Sequence, residues 1–194
     1  MSSYGENVLK FDDAGLRNLL LAMETKHSVQ VGIFSGAHDK PKMHKSKNKK
    51  GKTAAYTTDA EIGHAHEFGV PSRGLPQRSW LRMPIITKIK EIMASVQDSF
   101  PEVAKTGDPV QFLKLLGLAI EVQISKAFDS NGFGSWAPLK YATKLQKLRG
   151  NSGKGQKSLR KRKQMIAEGY AEGRQGGILV DSGQLRRAVS SRVL

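Results

Sequence analysis

The sequence predicts an α+β fold, and three observations support this prediction. Several long segments place apolar residues at helical spacing, whereas the strand-like segments, chiefly 29–33 and 189–193, are short and few. The chain has 194 residues, of which 38% are apolar, enough for one domain with a modest core. We therefore expect a single domain, 1–194, in which a small antiparallel or mixed sheet packs against two long helices.

The helical segments have recognisable ends. They are expected at 13–26, at about 54–68, at 83–99 and from Pro109 to about Asp129. Gly69 ends the second helix, because glycine readily adopts the left-handed conformation found after a helix. Pro84 fits the first turn of the third helix, where its missing N–H is no loss. Asp108 is the expected N-cap of the fourth helix.

The third and fourth helices are the expected long helices of the core. The third carries one continuous apolar stripe: Leu81, Ile85, Ile89, Ile92, Val96 and Phe100. The fourth is apolar over much of its circumference. It is therefore predicted to be the central core helix, or to pack against a neighbouring subunit as well.

The segment from Glu61 to Pro84 is the most informative part of the chain. A helix there ends at Gly69, an irregular stretch with two prolines follows, and Trp80 then stands close to Arg78 and Arg82. Ordered irregular loops of this kind commonly bind a partner. The alternative is an interhelical turn with Trp80 in the core, since tryptophan is usually largely buried.

The positive charge is concentrated in two segments. The net charge is +15, yet Lys40–Lys52 holds seven lysines and Lys140–Lys163 holds ten basic residues, with no acid in either. We expect flexible basic insertions at 35–53 and 144–163, with a basic helix at 158–168. The predicted contacts with DNA or another anionic surface are Lys45, Lys47, Lys49, Lys50, Lys52, Lys157, Arg160, Lys161, Arg162 and Lys163. A DNA-binding protein acting through these segments is the alternative function.

The sequence contains none of the common motifs of catalytic or metal-binding sites. There is no cysteine, no G-x-S-x-G and no phosphate-binding loop. His64, His66 and Glu67 lack zinc-protease spacing, and a helix turns positions two apart to different faces, so a metal site there is a weak alternative. We expect no enzyme activity and no cofactor.

The sequence shows neither a membrane span nor a secretion signal. No apolar run reaches the roughly 18 residues needed to span a bilayer, and no signal pattern is seen at the N-terminus. We therefore expect no membrane partner and a cytosol-like compartment, unless the protein leaves within a larger particle.

Four motifs occur in a fixed order: HAHEFG at 64–69, LPQRSWLR at 75–82, GSWAPL at 134–139 followed by Thr143, and ILVDSGQLR at 178–186. As an ordered set they resemble the virion-morphogenesis proteins of tailed bacteriophages, the tail-completion or head–tail joining family. The resemblance covers about 54–190, with gaps. Ser182 stands where that family usually has threonine, and Ser79-Trp80 replaces the commoner proline or aromatic pairing.

The resemblance implies a structural virion protein of the neck. It implies a hexameric ring of identical subunits that caps the tail tube like a tail terminator and joins the tail to the head. The implied partners are other copies, tail tube and sheath proteins, the head connector and other neck proteins, and genomic DNA passing non-specifically through the lumen. The protein would be assembled in the bacterial host cytoplasm and reside in the virion.

The loop residues are assigned to the subunit interface in this interpretation. A loop stiffened by prolines is a preformed contact surface, and tryptophan and arginine dominate interface energetics. The predicted interface residues are Glu67, Phe68, Pro76, Arg78, Trp80, Leu81, Arg82 and Trp136, with Trp136 expected to serve packing more than contact.

Overall fold

The computed structural model describes residues 13–34, 42–43, 56–148, 158–168, 178–179 and 183–194. This part of the chain is a mixed α+β structure dominated by helices, as predicted. The helices are α1 Ala14–Glu24, α2 Asp59–Phe68, α3 Arg82–Val96, α4 Phe100–Thr106, α5 Val110–Asp129, α6 Tyr141–Lys147, α7 Leu159–Ala167 and α8 Gln184–Arg187. The strands are β1 Val29–Ile33, β2 Lys42–Met43, β3 Tyr56–Thr57 and β4 Val189–Val193.

The predicted pairing of the two short strands is confirmed. β1 and β4 run antiparallel, with Val29 opposite Val193 and Ile33 opposite Val189. Their sheet lies against α5 at a glycine: a β-carbon added at Gly117 would lie 2.6 Å from Ser191 Oγ. The sheet thus packs mainly against α5 and not equally against both long helices.

The start of α2 differs from the prediction. Thr58 caps the helix: its hydroxyl accepts from the Glu61 amide at 3.2 Å, and the Glu61 carboxylate accepts from the Thr58 amide at 2.9 Å. This reciprocal pair satisfies two amides that a helix start leaves without partners. The helix therefore begins at Asp59, and the preceding Tyr56–Thr57 forms β3, which pairs with β2.

The two long helices form the centre of the fold and run antiparallel. Near the beginning of α3, Trp80 lies against Phe128 at the end of α5, with ring centroids 6.1 Å apart. Beyond the end of α3, Phe100 lies against Phe112 near the beginning of α5, at 4.7 Å. The core around these contacts contains Trp80, Ile92, Ile120, Ile124, Ala127, Phe128, Trp136, Ile178 and Leu185.

The end of the third predicted helix is also corrected. α3 bends at Lys88, whose φ and ψ are −111° and 15°, and ends at Val96. A short 3-10 turn, Gln97–Ser99, leads into α4, which the sequence analysis did not predict. α1 packs on α4, where the Asn18 amide donates to the carbonyls of Ala104 and Lys105 at 2.9 and 2.8 Å.

The basic helix expected at 158–168 is confirmed as α7. Ser158 caps it by accepting from the Lys161 amide at 3.3 Å, and the Arg162 guanidinium donates to the Leu145 carbonyl on α6 at 3.0 Å. Elsewhere in the two predicted basic insertions, Lys42–Met43 forms β2 and 144–147 belongs to α6, while 35–41, 44–53 and 149–157 lie outside the described residues. Within the described ranges, no helix has the length and apolar character needed to cross a membrane.

Candidate functional site

The side chain of Glu67, near the end of α2, is the centre of the hydrogen bonds that hold the loop between α2 and α3. Glu67 is 3% exposed, and its carboxylate accepts from the amides of Trp80 and Leu81 at 2.8 and 2.9 Å. The Arg82 amide and guanidinium also donate to it, at 3.3 and 2.9 Å, as does the Ser79 hydroxyl at 2.7 Å. A carboxylate from α2 therefore caps the N-terminus of α3, where unpaired amides and the helix dipole favour a negative charge.

These contacts keep Glu67 ionised. Burial alone would raise the pKa of its carboxyl group. Hydrogen bonds from the Arg82 side chain, the Leu81 amide and the Ser79 hydroxyl outweigh burial and hold the pKa below its ordinary value. The loop is thus organised around a buried negative charge that attaches α2 to the start of α3.

Trp80 attaches the same loop to the core. Its indole N–H donates to the Gly63 carbonyl at 2.8 Å, and a β-carbon added at Gly63 would lie 2.9 Å from the indole ring. Phe128 lies between Trp80 and Trp136, with centroid distances of 6.1 and 5.8 Å. The Trp136 indole N–H donates to the Ser79 carbonyl at 3.1 Å, so both tryptophans fix the loop from within.

Arg78 joins two of the sequence motifs. Its amide donates to the His66 carbonyl at 2.7 Å. Its guanidinium donates to the carbonyls of Ala137 and Pro138 at 3.0 and 3.4 Å. Because Arg78 is only 5% exposed, it serves as an internal tie between the loop and 136–138.

The fourth motif reaches the same region. Leu185 of α8 is buried, and its side chain would lie 3.3 Å from a β-carbon at Gly63. The side-chain amide of Gln184 donates to the Asp59 carboxylate on α2 at 2.7 Å. The backbone amide of Ile178 donates to the side-chain oxygen of Asn131 at 2.7 Å. The described parts of all four motifs therefore meet at α2 and the C-terminal end of α5.

The predicted interface residues divide into two groups. Four are buried within the chain itself: Glu67, Arg78, Trp80 and Trp136. This corrects the assignment of Glu67 and Trp80 to a contact surface and agrees with the packing role expected of Trp136. Arg78 also lines a groove, so its contact with a partner stays a prediction. The alternative that placed Trp80 in the core is confirmed. Phe68 is 50% exposed and the Arg82 side chain 52%, while Pro76 and Leu81 are half-buried. For these four the assignment stays a prediction.

An exposed apolar stripe begins at Phe68 and continues along α3, and it was not predicted from the sequence to be a surface feature. The Arg82 guanidinium stacks over the Phe68 ring at 4.6 Å. One turn further along α3 come Ile86, Ile89 and Met93, which are 71%, 47% and 37% exposed. We call Phe68, Ile86, Ile89 and Met93 the α3 stripe. Ile89 belonged to the apolar stripe predicted for the third helix, and the helical spacing of the apolar residues 86, 89 and 93 could have indicated this exposed stripe.

A second apolar stripe lies on α1. Leu16, Leu20 and Met23 follow one another at helical spacing and are 60%, 52% and 82% exposed. The side of α1 that carries Asn18 and Ala22 packs on α4 instead. We call Leu16, Leu20 and Met23 the α1 stripe.

The predicted anion-contacting residues are only partly described. Arg160, Lys161 and Lys163 are exposed on α7, whereas Arg162 is half-buried against α6. Lys45, Lys47, Lys49, Lys50, Lys52 and Lys157 lie outside the described residues.

The histidine cluster forms no metal centre in the described part of the chain. α2 places His64 against Phe68, with ring centroids 4.7 Å apart, while Glu67 points into the loop. No group of three or more histidines, aspartates or glutamates in the described segments is arranged to hold a metal ion.

Comparisons with protein-family models, with curated proteins and with solved structures found no match to this chain.

Proposed function

We propose that the chain is a structural subunit of the tailed-phage neck. In this proposal, copies close into a ring that ends the tail tube and joins it to the head connector. The resemblance in four ordered motifs is one support. A second is that the described parts of these motifs lie together around Glu67 and Trp80, as expected when separated motifs maintain one fold.

The two apolar stripes are the observation that carries the ring proposal. Each exposes large aliphatic or aromatic side chains on one helix face, and such clustered apolar surface marks contact sites. The stripes have different residues and lie on different helices. A contact between the α1 stripe of one copy and the α3 stripe of the next is therefore head-to-tail, the type of interface that closes rings.

The surroundings of the stripes are complementary. Glu24 is exposed at the end of α1 and Lys90 is exposed on α3, so these two side chains can pair across the contact. Ile33, Phe68 and Leu81 also line a shallow depression of about 190 Å³, large enough for an aliphatic side chain such as that of Met23 from a neighbouring copy.

Light scattering and negative-stain microscopy of the purified protein test the proposal. Closed rings are expected, and Leu20→Asp or Ile86→Asp is expected to abolish them by placing a charge in the apolar contact. Leu159→Asp is the matched control, because Leu159 is 51% exposed on α7 and outside both stripes. A wild-type protein that remains monomeric at high concentration contradicts the ring.

The phage itself provides the functional test. Particles assembled without the protein are expected to have unjoined heads or tails of incorrect length. Normal infectious virions would exclude the neck assignment.

One observation favours a second candidate, a DNA-binding protein. α7 presents Arg160, Lys161 and Lys163 to solvent on one short helix, and clustered cations bind phosphate backbones without sequence preference. Strong salt-sensitive DNA binding by a protein that forms no ring would favour this candidate.

A further inference from the structure

A groove of about 300 Å³ lies on the chain between the central loop and α6. Its walls are mainly apolar, and their aliphatic and proline members are Leu75, Pro76, Pro138, Leu139, Ile178 and Leu179. Its polar lining includes Arg78, Lys140 and Thr143, and none of the described lining residues is acidic. The groove is thus both apolar and cationic.

Arg78 gives the groove a buried positive charge. Two of its five N–H groups are used on the carbonyls of Ala137 and Pro138. Among the described residues no carboxylate contacts it. Burial removes hydration from the guanidinium and thereby lowers its pKa. A buried charge of this kind is costly unless an anion accompanies it.

A second cation stands at the edge of the groove. A β-carbon added at Gly74 would lie 3.2 Å from Lys140 Nζ, so this ammonium group extends from the start of α6 across to the turn at 71–74. Lys140 and Arg78 both line the groove, so it presents two positive charges to an anion.

We propose that this groove binds a carboxylate side chain of a partner protein, presented next to an aliphatic residue in an extended segment. The carboxylate accepts from the remaining Arg78 N–H groups, which suit its planar geometry. The aliphatic neighbour packs against the leucine and proline walls. This site is separate from both apolar stripes and does not depend on ring formation.

The walls favour a peptide over a phosphate. Phosphate backbones are bound by exposed, hydrated cations along a surface, whereas Arg78 is 5% exposed and the groove around it is mostly apolar. An acidic residue with an aliphatic neighbour uses both the charge and the walls.

Calorimetric titration of the full-length protein with three probes tests the proposal. The probes are N-acetyl-Leu-Glu-Leu amide, its glutamine counterpart N-acetyl-Leu-Gln-Leu amide, and inorganic phosphate. The glutamate peptide is expected to bind at least about tenfold more tightly than the glutamine peptide, because hydrogen bonds to charged groups are the stronger ones. Equal binding of the two peptides, no binding of either, or tighter binding of phosphate overturns the proposal.

Two pairs of variants locate the binding. Lys140→Gln is expected to weaken glutamate-peptide binding about two- to fivefold, while Lys114→Gln, on the exposed side of α5, leaves it unchanged. Thr143→Trp fills the groove and abolishes binding, whereas Ala142→Trp, which is exposed and does not line the groove, does not. Equal effects within either pair place the binding elsewhere and refute the site.

Discussion

The indole N–H of Trp80 donates to the backbone carbonyl of Gly63 at 2.8 Å. The contact requires that α2 carry no side chain at 63, because a β-carbon there would lie 2.9 Å from the Trp80 ring and 3.2 Å from Ile33 Cδ1. One hydrogen bond thus fixes how closely the loop approaches α2.

Gly63→Ala is expected to destabilise the protein by about 1–3 kcal/mol, the usual cost of overpacking a core. Chemical denaturation measures this change. Gly15→Ala on α1 is the control, since the nearest atoms to its added β-carbon are 4.0 Å away. Alanine is the better helix former, so Gly15→Ala is expected to stabilise by up to about 1 kcal/mol. Stabilisation by both substitutions would contradict the close packing at Gly63.

Trp80→Ala is expected to unfold or strongly destabilise the subunit, by about 3–5 kcal/mol, because the indole is buried against Phe128 and Gly63. The sequence analysis placed Trp80 at an interface, where its loss would impair assembly more than folding. Thermal unfolding of the variant distinguishes the two roles. A normal melting temperature together with failed assembly would restore the interface role.

Glu67→Gln is expected to destabilise by about 2–3 kcal/mol at neutral pH, because glutamine cannot replace the charged acceptor at the start of α3. The pKa of Glu67 is lowered in the folded state, so the ionised carboxylate stabilises the fold fully above its unfolded pKa. This contribution is lost as the pH falls through the folded pKa. Denaturation at several pH values should therefore show the variant and wild type converging in acid. A difference independent of pH would contradict the assignment.

Mixing two interface variants is expected to produce a defined dimer. Leu20→Asp removes the α1 stripe and leaves the α3 stripe intact, and Ile86→Asp does the reverse. In a head-to-tail ring, each variant alone is monomeric and the mixture forms one-to-one pairs joined at a single interface. Light scattering measures the masses. A mixture that stays monomeric would show that the two stripes do not contact each other.

Neutralising the exposed cations of α7 tests the DNA-binding candidate. Replacing Arg160, Lys161 and Lys163 by glutamine is expected to weaken binding to duplex DNA and to reduce its salt dependence. The slope of the logarithm of the binding constant against that of the salt concentration should change by about 0.9 for each phosphate that is no longer neutralised. Anisotropy titrations at several salt concentrations measure both quantities.

A second triple variant controls for net charge in that experiment. Lys90, Lys105 and Lys114 are exposed on α3, α4 and α5, away from α7. Replacing these three lysines by glutamine removes the same charge and should leave DNA binding nearly unchanged. Equal effects of the two triple variants would exclude a specific role for α7.

Local sequence patterns predicted the elements better than their ends. The sequence predicted strands at Val29–Ile33 and Val189–Val193. Their pairing could be predicted as well, because the sequence contains few other strand-like segments of that length, and the structure shows it. Val110–Asp129 begins one residue later than predicted, with Pro109 and not Asp108 as its N-cap, although the Asp108 carboxylate does accept from the Val110 amide at 2.9 Å. α4 was missed, because Phe100 continues the apolar stripe of α3 although the backbone turns before it.

The organisation of the central loop could not be predicted from local patterns. Glu67 binds residues 12 to 15 positions later in the chain, and no local pattern specifies such partners. Trp80 suited both the core and an interface by residue type alone. The α1 and α3 stripes were visible as periodic apolar residues, but periodicity does not tell whether another helix of the same chain covers them.

The pairing of β1 with β4 has a consequence for synthesis on the ribosome. β1 is synthesised long before its partner strand, because Val29–Ile33 and Val189–Val193 are far apart in the sequence. Until β4 arrives, the edge of β1 remains unsatisfied and the side of α5 near Gly117 remains uncovered. Such nascent chains are prone to aggregate. We therefore expect translation speed and chaperone access to influence the yield of this protein.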